Sequence, residues 1–219
     1  MIDKTKSKSA FTIAEVLITL VIIGVVAALT IPTAINKYKD EVLKSQFKKA
    51  YSTVVQALNK TETNDFYGYA KCYYKSIGGI DGDDCWNFYN AFAKNLNVQK
   101  TCNGNSLSNG CIPVYVSYAT PNAGCYGLEE YYINNVCRSY VLANGQILIF
   151  YANLVPIFLL DINGHKGPNA YGKDLFGFVI KKDVDTNNVS LSPDACGMTP
   201  VSGGRTTKQM IKHAISGGN

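Results

Sequence analysis

From Phe11 to Ile31 the chain runs for 21 residues with a single charge, Glu15. A helix of that length rises about 31 Å at about 1.5 Å per residue, which matches a bilayer hydrocarbon core of about 30 Å. The stretch is therefore expected to span a membrane. Glu15 is its anomaly, because an ionised side chain at membrane depth costs at least about 2.5 kcal/mol and calls for a partner or a task. Ahead of the span, Met1 to Ala10 holds Lys4, Lys6 and Lys8 against Asp3. By the positive-inside rule this short segment stays in the cytoplasm and the bulk of the chain lies outside it.

Three arrangements compete for this N-terminus. A secretory signal has an uncharged apolar core followed by a small-residue cut; Val26-Ala27-Ala28 offers the cut, but Glu15 interrupts the core. A plain anchor explains neither Glu15 nor the abrupt change from polar to apolar at Ala10/Phe11. The third accounts for both. A Lys-rich leader, Ala10, and then Phe11-Thr12-Ile13-Ala14-Glu15-Val16-Leu17 resembles the cleavage and methylation motif of bacterial type IV prepilins and pseudopilins. The resemblance implies a cut between Ala10 and Phe11 by prepilin peptidase, N-methylation of Phe11, and Glu15 as the fifth mature residue. The family most often has Gly where this chain has Ala10, another small residue.

Cleavage leaves an α-amine on Phe11 near hydrocarbon. Pairing of that amine with Glu15 within one helix is geometrically poor, whereas a neighbouring helix shifted along its axis can bring its amine beside Glu15. Removing one partner of a buried pair costs about 3–5 kcal/mol, so Glu15 is expected to fix the stagger between assembled subunits.

Beyond the span, Val42, Leu43, Phe47, Ala50, Tyr51, Val54, Val55 and Leu58 recur at steps of three and four, with lysines and acids mainly between them. The helix is expected to continue to about Lys60, on the order of 75 Å in all, with a kink at Pro32, where a hydrogen bond is lost. Lys44, Lys48 and Lys49 mark a solvated face. Removing the leader's three lysines and one aspartate takes the formal charge from +5 to +3, too mild for a nucleic-acid-binding composition.

All seven cysteines follow Lys60, as suits an oxidising compartment. Sequence order offers Cys72 with Cys85, Cys102 with Cys111 and Cys125 with Cys137, leaving Cys196 over. Six cysteines allow fifteen connectivities, so the pairing stays open. A short helix is expected around Trp86 to Leu96. Strands are expected at Pro113 to Tyr118, Arg138 to Leu142, Gln146 to Tyr151, Ile157 to Asp161 and Phe176 to Lys181, with a hairpin turn at Asn144-Gly145. The fold class is α+β and pilin-like: a long N-terminal helix packed on an antiparallel sheet stapled by disulfides. The expected organisation is a leader over 1–10, a transmembrane and polymerisation helix over 11–35, an amphipathic helix over 36–62 and an extracytoplasmic cysteine-rich domain over 63–219.

The segment Asp161 to Phe178 looks like the loop of pilin-like globular domains in which Asp, Asn and backbone carbonyls gather around calcium. Asp161, Asn163 and Asp174 are the side chains such a site would use, since calcium takes six to eight oxygens. The spacing is not that of an EF-hand, and turn stabilisation by Asp and Asn explains the same residues. Asp81-Gly-Asp-Asp84 suits an exposed turn. No Cys-x-x-Cys, phosphate-cradling loop or activated nucleophile is present, so no enzyme is expected. The resemblance implies a structural subunit of a type IV pilus or type II secretion-like filament. It would be held singly in the bacterial inner membrane, then assembled by an inner-membrane platform with like subunits at or beyond the cell surface. The alternative is a minor or tip subunit that binds DNA, a surface or a secreted substrate.

Overall fold

The computed structural model describes residues 12–64, 82–116, 129–151, 157–182, 189–193 and 198–215. The chain divides into two compact units, Met1–Val42 and Leu43–Asn219. Helix α1, Ile13–Asn64, contributes to both and contains Pro32.

In the first unit the large apolar side chains from Ile13 to Ile35 are exposed. No water-soluble domain leaves such a row uncovered. Its polar exceptions are satisfied locally: Thr19 Oγ1 donates to the Val16 carbonyl at 2.9 Å and Thr30 Oγ1 to the Val26 carbonyl at 2.9 Å. These hydroxyls need no water, so the segment suits a lipid surrounding.

In the second unit the amphipathic half of α1 buries Phe47, Ala50, Val54, Ala57 and Leu58, the helical spacing read from the sequence. Six strands form one antiparallel meander in the order β1 to β6: Val98–Asn103, Arg138–Leu142, Ile147–Tyr151, Ile157–Asp161, Leu175–Lys182 and Val189–Ser192. Every residue of β3 and β4 is buried because both faces of the sheet are covered, which is why Ile-Leu-Ile-Phe-Tyr and Ile-Phe-Leu-Leu read as unbroken apolar runs. One face, with Leu148, Phe150, Phe158, Leu160, Phe176 and Phe178, receives α1, helix α2 (Gly82–Lys94) and the C-terminal helix α4 (Thr207–Ile215). Ring contacts tie this layer, Phe47 to Phe176 at 4.8 Å and Tyr89 to Phe150 at 4.1 Å. The other face, with Ile147, Ile149, Ile157 and Leu159, is covered by Ile112, Tyr115 and Ile133 of the short helix α3 (Glu130–Asn135).

Four expected strands are present within a residue or so of their bounds, and Asn144-Gly145 forms the β2–β3 turn, with Gly145 at φ +85°. Of the expected strand Pro113 to Tyr118, the described residues 113–116 form no strand, and 117–118 lie outside the described residues. Within its described part Val116 makes one bridge, to Ala170, and Pro113 has no N–H to extend a ladder. Strands β1 and β6 sit at the sheet's two edges; β1 carries the polar Gln-Lys-Thr, and β6, Val-Ser-Leu-Ser, alternates apolar and polar residues but is only four residues long, too short a run to stand out in the sequence.

Cys102, at the end of β1, is joined to Cys111. Cys137 departs from the expected bond to Cys125: it carries a free, buried thiol. Burial pushes that thiol up to about 12, so it holds little of the thiolate that disulfide exchange requires. Cys72, Cys125 and Cys196, and the side chain of Cys85, lie outside the described residues, as do Asp81 and the side chains of Asp83 and Asp84.

Candidate functional site

Two places in the chain gather the chemistry expected of it. The first is the start of α1. Thr12 precedes the first helical residue, and its backbone N–H donates to Glu15 Oε2 at 2.8 Å. Thr12 Oγ1 donates to the same oxygen at 2.9 Å, and the Glu15 N–H donates to Thr12 Oγ1 at 3.2 Å. This is a reciprocal capping box, in which the first residue's hydroxyl and the fourth residue's carboxylate satisfy each other's backbone N–H groups. The carboxylate also lies at the positive end of the helix dipole. Thr12 was not among the expected site residues, although Thr-x-x-Glu before an apolar run is the sequence signal for this cap. Glu15 thus has partners within its own helix. Ala10 and Phe11 lie outside the described residues.

The second place is the loop between β4 and β5. The register of these strands sets Asp161 opposite Leu175, so Asp161 and Asp174 come together at one end of the sheet. Both are fully buried. Asp161 Oδ1 accepts the N–H groups of Asn163 at 3.1 Å and Gly164 at 2.7 Å, and its Oδ2 accepts the Tyr115 hydroxyl at 2.9 Å. Asp174 accepts the N–H groups of Asn169 and Ala170, each at 2.7 Å. Gly164, at φ +62°, allows the tight return, and any Cβ there would meet the Gly145 carbonyl of the β2–β3 turn. Glycine is required on both counts.

Burial pushes Asp161 up to about 7, with the charge of Asp174 adding to the rise and the three donors opposing it. Burial raises Asp174 as well, against the pull of the Ala170 and Asn169 N–H groups. Asn163 Nδ2 donates to the Gly167 carbonyl at 2.8 Å, which fixes its amide, and its Oδ1 is then buried without a partner. Asn169 Oδ1 is likewise buried and unpartnered.

This donor set fits a hard cation. Five hydrogen bonds leave spare acceptor sites on two carboxylates that offer roughly eight lone pairs, and Asn163 and Asn169 of the same loop each hold a buried, unpartnered amide oxygen. Among the described residues no group of three His, Cys, Asp or Glu side chains could hold a metal. Amide and carbonyl oxygens would have to complete the shell, which suits calcium and not zinc. Asn169 is a donor that the sequence did not single out.

Among the described residues, one helix is long and apolar enough to cross a membrane. Searches of curated proteins and of solved structures return no match. A family model described as the prokaryotic N-terminal methylation motif matches residues 5–31, covering Lys6 and Lys8 of the leader, the Ala10/Phe11 junction, the Thr12–Glu15 cap and the exposed apolar helix as far as Ile31. Over those residues the chain carries the signature of type IV pilins and pseudopilins, a structural and non-catalytic family whose motif implies processing by prepilin peptidase and association with pilin-like subunits.

Proposed function

We propose that this protein is a structural subunit of a type IV pilus or type II secretion-like filament, released from its leader between Ala10 and Phe11 and assembled through residues 11–35. The supporting observation is that the methylation motif leads directly into a half-helix whose large apolar side chains all lack cover. Lipid satisfies that surface before assembly, and sister helices satisfy it afterwards. In the polymer the Glu15 carboxylate exchanges its Thr12 partners for the Phe11 amine of a staggered neighbour. The proposed occupant of the β4–β5 loop is calcium, held by Asp161, Asp174 and the amide oxygens of Asn163 and Asn169. Its role is to neutralise two buried carboxylates that repel each other.

The test is mass spectrometry of sheared surface filaments from cells expressing the full chain. A mature species beginning at N-methylated Phe11 supports the proposal. A product that begins past Val25, or a processed chain found only as a free monomer, refutes it.

A further inference from the structure

On the filament reading, successive subunits need contacts between their globular parts, and two exposed patches on opposite faces of the sheet, on α4 and on the α3 segment, carry opposite charge. On one face Met210 and Ala214 seat α4 in the cluster with Leu148 and Phe150. Lys208 and Lys212 are left exposed one turn apart, with Ile215 beside them at 45%. From Met198 to Ile215 the chain holds Arg205, Lys208 and Lys212 and no acid. A capping box holds this helix in place: the Thr206 N–H donates to Gln209 Oε1 at 2.8 Å, and the Gln209 N–H to Thr206 Oγ1 at 3.2 Å. Thr207 is buried beneath, its Oγ1 accepting the Gly177 N–H of β5.

On the opposite face Ile133 seats α3 against Ile147 and Ile149. Glu129 and Glu130 are left exposed, with Tyr131 beside them at 66%. Residues 129–137 hold these two acids and no lysine or arginine.

We propose that α4 of one subunit docks on the α3 segment of a second copy, with Lys208 and Lys212 meeting Glu129 and Glu130, and Ile215 meeting Tyr131. This rests on the filament reading. The patches match in number and oppose in sign, and each adds one apolar side chain that the contact would cover. Because they lie on opposite faces of one sheet, the contact is heterologous. A heterologous contact that does not close into a ring propagates as a helical polymer. Charge complementarity of this kind fixes register and rejects wrong partners more than it adds raw affinity.

The experiment is charge reversal in the full chain, expressed with its peptidase and assembly machinery and read as filament recovered by shearing. Lys208→Glu with Lys212→Glu, and separately Glu129→Lys with Glu130→Lys, are each expected to lower recovery by about tenfold or more, since like charges placed face to face cost several kcal/mol. All four substitutions together are expected to restore it to within about threefold. Carbodiimide treatment of wild-type filaments should give an isopeptide bond between the 208–212 and 129–130 segments of two copies. Wild-type recovery from both reversed pairs, no rescue in the combined variant, or cross-links from these lysines only to a different protein or to nucleic acid would each overturn the docking while leaving the filament intact. Absence of filaments from the wild-type chain overturns the filament reading and this contact with it.

Discussion

Thr12 and Glu15 change the energetics assigned to the acid from sequence alone. Twenty uncharged residues, Val16 to Ile35, rise about 30 Å and by themselves fill a hydrocarbon core. Glu15 then falls at the boundary of the bilayer, where the Thr12 amide and hydroxyl hold it. On the proposed filament reading its cost before assembly is small, and the pairing proposed across subunits would matter only once helices leave the lipid. Glu15→Gln retains an N3 capping partner and loses the charge, whereas Glu15→Ala loses both. Both variants should insert normally, and both should be absent from sheared filaments. Incorporation of the Gln variant at wild-type levels would reduce Glu15 to a helix cap. Asp161 gives a second residue-scale prediction. Its folded value, about 7, exceeds the ordinary carboxyl value of about 3.9, so the folded state keeps a proton that the unfolded chain releases. Stability from that group is complete below about pH 4 and is lost as pH rises through about 7, at up to about 1.4 kcal/mol per unit. In thermal melts of the detergent-solubilised chain, Asp161→Asn should flatten this slope, and millimolar calcium should reverse the loss in the wild type. A melting temperature unmoved by calcium or chelator across pH 4–8 would leave the loop as a turn held by hydrogen bonds.

At the level of elements, the Cys102–Cys111 bond joins residues nine apart in sequence at the end of β1. The 104–111 loop is tied to α3 by the Asn105 N–H on the Asn135 carbonyl at 2.8 Å and the Leu107 N–H on the Asn134 carbonyl at 3.2 Å. Loop-closure entropy puts the bond at about 2.5 kcal/mol. Replacing both cysteines by serine should therefore lower the thermal midpoint by several degrees without abolishing the fold, as checked by circular dichroism. An unchanged midpoint would show that the α3 bonds already fix the loop. The elements legible in the sequence were those with one dominant physical signal: α1 from its length and period, β2 to β5 from β-branched and aromatic runs, and the Asn144-Gly145 turn. The polar edge strands β1 and β6 carry no such run, and α3 and α4 are too short to show a period. Two signals were nevertheless present, since Thr12-x-x-Glu15 and Thr206-x-x-Gln209 mark the starts of α1 and α4. The second site was legible only in part. Asp161, Asn163 and Asp174 stand close together in the chain, but the bond from Tyr115, 46 residues away, and the orphaned oxygen of Asn169 depend on tertiary packing that local sequence does not encode.

For the whole molecule, the division of labour along the chain is sharp. Both hydrophobic clusters draw their members from Leu43 onward, while every large apolar residue from Ile13 to Tyr38 is exposed. Among the described residues, none ahead of Asn36 is a member of either cluster. Among the described residues from Asn36 onward the exposed large apolar residues are few, Tyr38, Val114, Val116, Tyr131, Val136 and Ile215, which a soluble surface tolerates. A chain beginning at Asn36 should accordingly fold without detergent, elute as a monomer, and melt cooperatively within a few degrees of the full chain in micelles. It should also form no filaments, because the contact between α4 and α3 alone is a small, charged interface of the weak class. Aggregation of that truncated chain, or loss of its cooperative transition, would mean that the apolar half-helix supports the fold as well as the polymer. A soluble, cooperative monomer would instead place assembly in residues 11–35 and leave the globular contact to select the stagger between subunits already drawn together by those helices.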